Sequence, residues 1–86
     1  MEGDYDLSLP IPAPGMMLIA RTPMRAWADD YFYGTTGEIV NEGTIGIVIQ
    51  SWKVGNQVRL RMLIRSSILV LSTAHRDLSR NWMRTG

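Results

Sequence analysis

Three groups of side chains in this chain of 86 residues have types and spacings that could do chemistry. One is aromatic and acidic: Trp27, Asp29, Asp30, Tyr31, Phe32 and Tyr33 crowd a single stretch, and Trp52 follows further on. Rings at that density build a binding groove, a core or a subunit interface, because they carry large apolar areas. The second group is basic, with Arg59, Arg61 and Arg65 at odd positions of one run and Trp52 and Lys53 just before it. In an extended strand, successive same-face residues lie about 6.8 Å apart, similar to the phosphates of a stretched single strand. An aromatic beside cations can hold such a strand by stacking. The same arginines also suit a solvated sheet face that resists edge pairing. The third group holds the acid–base candidates, Asp29-Asp30 and His75-Arg76-Asp77.

That third group does not assemble a catalytic site. Adjacent carboxylates on an extended chain point apart and share no proton, and the His75 segment reads as a polar turn. With no nucleophile–base pair in view, the chain is expected not to be an enzyme. It has no cysteine and a single histidine, so a zinc or iron site would need three further oxygen ligands; no metal and no cofactor are expected. Gly34-Thr35-Thr36-Gly37 lacks the lysine and the helix that a phosphate loop requires.

The charge is divided along the chain. Residues 1–50 carry two arginines against seven carboxylates, and residues 51–86 carry seven cations against one carboxylate. Such halves attract one another within a monomer, across a homodimer or toward outside partners. Arginine supplies eight of the nine cations, and its forked bonds serve carboxylate and phosphate alike. The opening Met1-Glu2-Gly3-Asp4-Tyr5-Asp6 is acidic where a signal peptide would be basic. Apolar runs of roughly five residues fall far short of the ~20 of a membrane helix, so a soluble, cytoplasmic protein without membrane contact is expected. A chain this short is one domain that buries only about 60% of its unfolded surface, which favours a partner subunit.

The elements that must position these groups are strands. Residues 1–14 form an arm with Pro10, Pro12 and Pro14 at alternate positions, extended rather than helical, whose Leu7, Leu9 and Ile11 share one face. It is read either as an untied tail or as an arm docked on its own or a neighbouring subunit. Residues 15–86 make the domain proper. Met16 to Arg21 is a short strand, and Met24 to Asn41 a long irregular loop with a possible short strand at Glu38-Ile39-Val40. Thr44 to Trp52 is a strand whose lone Gly46 marks a bend or a close backbone approach. Val58 to Arg65 alternates cleanly, with Val58, Leu60, Met62 and Ile64 inward, and Ile68 to Ser72 returns as its hairpin partner. One helical turn follows over Thr73 to Arg80, then a last short strand at Trp82-Met83. The expected core is Met17 or Leu18, Ile19, Ile47, Ile49, Val58, Leu60, Met62, Ile64, Ile68, Val70 and Leu78.

This order, with Pro14-Gly15 before the first strand, Gly46-Ile47-Val48 opening the second, and Ile68 to Ser72 leading into the turn at His75 to Leu78, resembles the small SH3-like barrels. It looks like the short SH3-like proteins of unassigned role in bacteria and phages. The resemblance implies an all-β, five-stranded SH3-like barrel with a long first loop, one helical turn before the last strand, and the N-terminal arm. Signalling SH3 domains bind proline-rich peptides in an aromatic groove beside an acidic loop. The resemblance therefore implies protein binding at Trp27, Asp29, Asp30, Tyr31, Tyr33 and Trp52. The Ala-Leu-Tyr-Asp-Tyr motif is absent, and Trp52 is followed by Lys53 rather than a second tryptophan. The expected function is a small protein-binding, self-associating interaction module that uses the long loop and the arm. The alternative is single-stranded nucleic-acid binding through Lys53, Arg59, Arg61 and Arg65.

Overall fold

The computed structural model describes residues 11–28 and 37–85. Its strands are β1 (Met17–Ala20), β2 (Met24–Ala28), β3 (Glu38–Val40), β4 (Ile45–Val54), β5 (Gln57–Ile64), β6 (Ser67–Ala74) and β7 (Trp82–Arg84). A 3-10 turn (His75–Asp77) and the one-turn helix α1 (Leu78–Asn81) lead into β7. All pairings are antiparallel in one sheet of order β3-β2-β6-β5-β4-β1-β7, curled into a half-barrel. That architecture is compatible with an SH3-like fold.

β5 is the centre of the sheet, and its alternation is the one the sequence displays. Val58, Leu60, Met62 and Ile64 are buried on the inner face while Arg59, Arg61 and Leu63 face outward. Around them the inner face gathers Leu18 and Ala20 of β1, Ala26 of β2, Val40 of β3, Val48 of β4, Leu69 and Leu71 of β6, and Trp82 of β7. Ile11, Met16, Met24 and Leu78 close the margin of this cluster.

Four expectations are corrected. The sheet has seven strands, not five, because Met24–Ala28 and Glu38–Val40 pair as a hairpin within the stretch read as an irregular loop, and β2 also joins β6. Tertiary pairing overrides weak local strand preference in Met-Arg-Ala-Trp-Ala. In the first half of β4 the inward residues are Gly46 and Val48, leaving Ile47 and Ile49 exposed. The register shifts between Val48 and Gln50, so Ile49 lies at a bulge. In β6 Leu69, Leu71 and Thr73 are inward, Ile68 is exposed, and Val70 is buried on the outer side, opposite Trp27. A one-residue slip exchanges the two faces of a strand, and here both faces are apolar enough to invite it. In β1 Leu18 takes the core position, with Met17 exposed and Ile19 half-buried; Leu78 is likewise only partly buried.

The described part of the arm lies on its own domain. Pro12 is buried and its carbonyl accepts a hydrogen bond from the Ser51 hydroxyl, while Gly15 N–H donates to Val48 O at 2.7 Å. Residues 1–10, with Leu7 and Leu9, lie outside the described residues.

The two central hairpins are tight. Val54 pairs with Gln57 across Gly55-Asn56, with φ +61° at Gly55, the position where a type II′ turn takes glycine. Ile64 pairs with Ser67 across Arg65-Ser66, whose φ values of 49° and 71° put two ordinary side chains in the left-handed region of a type I′ turn. That conformation costs about 1–2 kcal/mol per residue. Arg65→Asn with Ser66→Gly is therefore expected to raise unfolding stability by about 1–2 kcal/mol, read from the urea midpoint; an unchanged or lower midpoint would reject this turn geometry.

Candidate functional site

The outer face of the sheet brings the candidate residues together. Because β5 turns its odd positions outward, each outward residue on β5 selects one neighbour on β4 and one on β6. Arg59 lies between Trp52 and Ser72. Arg61 lies between Gln50 and Val70, and Val70 is opposite Trp27 of β2. The Arg61 guanidinium carbon sits 5.4 Å from the Trp52 ring centroid, and Arg61 donates to the Gln50 side-chain oxygen. A cation–π contact of this kind is worth about 0.5–1 kcal/mol at an exposed site. Trp27, Trp52, Arg59 and Arg61 thus form a single band across four strands, uniting members of the aromatic and basic groups.

The other candidates are not in that band. Lys53 is opposite Val58, an inward position, so it has the parity opposite to Trp52 and Arg59 and projects from the end of β4. Arg65 lies in the hairpin turn rather than on the strand, with its Nη2 4.0 Å from a Glu38 carboxylate oxygen. Of the three arginines expected on one strand face, Arg59 and Arg61 lie there and Arg65 does not. Asp29, Asp30, Tyr31 and Tyr33 lie outside the described residues.

Next to the band, toward the other ends of β4 and β5, the same face is apolar. The register sets Met17 against Ile47, Ile47 against Leu63, and Leu63 against Ile68. One step further, Ile19 lies between Ile45 and Met83. Met17, Ile45, Ile47, Leu63, Ile68 and Met83 are each 39–49% exposed. By the register of the described residues, no charged side chain interrupts these two rows. They were not singled out from the sequence, although a signal was present: Met16 to Ala20 and Ile68 to Leu71 are apolar at successive positions, as in strands covered on both faces.

At the far end of β5 and β6 a cleft of about 410 Å³ is lined by Asn56, Gln57, Ala74, His75 and Arg76. His75 N–H donates to Asn56 O at 2.8 Å, tying the 3-10 turn to the β4–β5 turn. The named lining residues include no carboxylate, hydroxyl or thiol with which the imidazole could form a catalytic pair. Among the described residues no three His, Cys, Asp or Glu gather as metal ligands, and no helix is long and apolar enough to cross a membrane. No family model, curated protein or solved structure matches the chain.

Proposed function

We propose that the chain is a small protein-interaction module with an SH3-like barrel, working through the outer face of its sheet and not as an enzyme. The SH3-like reading is supported by the order β6-β5-β4-β1-β7, the 3-10 turn before the last strand, and the β2–β3 hairpin occupying the long first loop. The function is carried by one observation: exposed apolar rows spanning five strands, bordered by the Trp–Arg band. Antiparallel sheets that face water are ordinarily polar on that side, so an apolar outer face is one that gains by being covered.

The test combines sedimentation with uptake of the apolar fluorescent anion anilinonaphthalene sulfonate. The expected result is association, or dye uptake by monomers, that Leu63→Arg reduces several-fold while the cooperative unfolding transition is kept. A chain that sediments as a monomer and takes up no dye overturns the reading.

A second reading, single-stranded nucleic-acid binding, draws on the Arg61–Trp52 stack with Arg59 alongside. It expects retardation of an oligo-dT that weakens steeply with salt and is lost in Arg59→Glu/Arg61→Glu. No retardation at low salt ends it. A formal charge of +1 over the whole chain favours the protein reading.

A further inference from the structure

Resting on the reading of the outer face as a docking surface, we infer that its occupant is a second copy of this chain. The two copies pack sheet to sheet about a two-fold axis near Ile47, through the rows Met17–Ile47–Leu63–Ile68 and Met83–Ile19–Ile45.

The area is of the right size. Six side chains that are 39–49% exposed present on the order of 500 Å² of contiguous apolar surface, near the upper end of what a monomer ordinarily shows. A stable interface buries about 800 Å² on each partner, with an apolar core inside a polar rim. The rows supply that core. Arg61 with Trp52 beside it supplies rim on one side, and the Arg65 turn bounds the other.

The chemistry selects a like partner. The rows hold no charge, so meeting their own copy buries no ion, whereas a patch with a buried charge would need the opposite charge opposite it. Homodimer interfaces are the more apolar class, and a two-fold arrangement uses one self-complementary patch on both subunits. β4 is the middle strand of β7-β1-β4-β5-β6, and Ile47 pairs with Met17 on one side and Leu63 on the other. Ile47 is thus the residue nearest the centre of the patch, and in a two-fold pair it meets its own counterpart. A small domain also gains stability from such a pair, since burying this surface adds to a core that an 86-residue chain keeps small.

The chain has no cysteine, so a single introduced thiol reports on one position. Facing sheets stand about 10 Å apart, too far for a disulfide but within reach of a short bismaleimide. The experiment uses sedimentation velocity at micromolar concentration on the full chain and Leu63→Arg. It adds bismaleimide cross-linking of Ile47→Cys and of Ile39→Cys, a slightly more exposed position on β3 at the far end of the sheet.

The expected result is a dimer of the full chain, a folded monomer for Leu63→Arg, and covalent dimer from Ile47→Cys at least several-fold above that from Ile39→Cys. A dimer that survives Leu63→Arg and cross-links equally or better at Ile39→Cys overturns the inference. A full-length monomer with dye uptake that Leu63→Arg removes also overturns it, while leaving the docking face standing. A monomer that takes up no dye removes both. Were Leu63→Arg to unfold, the comparison of the two cysteine variants still decides.

Discussion

Replacing Leu60 with aspartate is expected to abolish cooperative folding. Leu60 is fully buried at the middle of β5, opposite Ser51 on β4 and Leu71 on β6, and the inner faces of all seven strands converge around it. The substitution removes a side chain whose truncation alone costs about 2–5 kcal/mol, and it adds a carboxyl group that must either ionise without a partner or take up a proton there. A chain of this length has roughly 4–13 kcal/mol to lose, so the combined cost reaches the whole of its stability. The expected observation is loss of near-ultraviolet circular dichroism and of the sigmoidal urea transition. Leu63→Asp, three positions along the same strand but on the outer face, is expected to keep both, with any change appearing in association. Equal effects at the two positions would mean that β5 does not divide the molecule into an inside and an outside as described.

The contrast between those leucines also explains what the amino-acid order disclosed. β5 was legible because arginine separates its apolar residues, so only one parity puts the oil inside. β4 was not. In Ile45-Gly46-Ile47-Val48-Ile49 either parity offers the core an aliphatic side chain, three isoleucines on one and Val48 on the other, and the isoleucines are the natural choice when volume alone is weighed. What decides is tertiary: Met62 and Ile64 pack so close over Gly46 that no side chain fits there, a close approach that the lone glycine signalled without fixing the parity, and the bulge at Ile49 has no local signature. β6 has the same ambiguity, resolved by Trp27 covering Val70 from a strand more than forty residues away in sequence. β2 escaped because Met24-Arg25-Ala26-Trp27-Ala28 contains no β-branched residue, and its strand exists through partners on both sides.

The candidate surface follows the same division. Trp27, Trp52, Arg59 and Arg61 were recognisable by type, but their sharing of one face rests on the β2–β6 pairing and the parity of β4. The apolar rows were hidden for a related reason: residues assigned inward by composition are outward by register. Ile47 and Ile68 changed from core to surface, and that change created the docking face.

Gly46 is therefore the residue on which the placement of that face turns, and a double-mutant cycle tests it. A Cβ at Gly46 would lie 2.8 Å from Met62 Cε and 2.9 Å from Ile64 Cγ1. The methionine end can swing away, but Ile64 is buried and the clash is with the middle of its side chain, so the core must shift. Gly46→Val alone is expected to cost about 1–3 kcal/mol from overpacking, outweighing the gain of up to ~1 kcal/mol that valine has over glycine in a strand. Ile64→Ala alone is expected to cost about 2–5 kcal/mol through the cavity it leaves. Combined, each relieves the other, because the valine methyls enter the space that Ile64 vacates. The double variant should be more stable than the sum of the single losses by at least about 1 kcal/mol, measured by urea unfolding. Strict additivity would separate Gly46 from Ile64, reverse the parity of β4, and return Ile45 and Ile47 to the interior, leaving no apolar face for a second copy to cover.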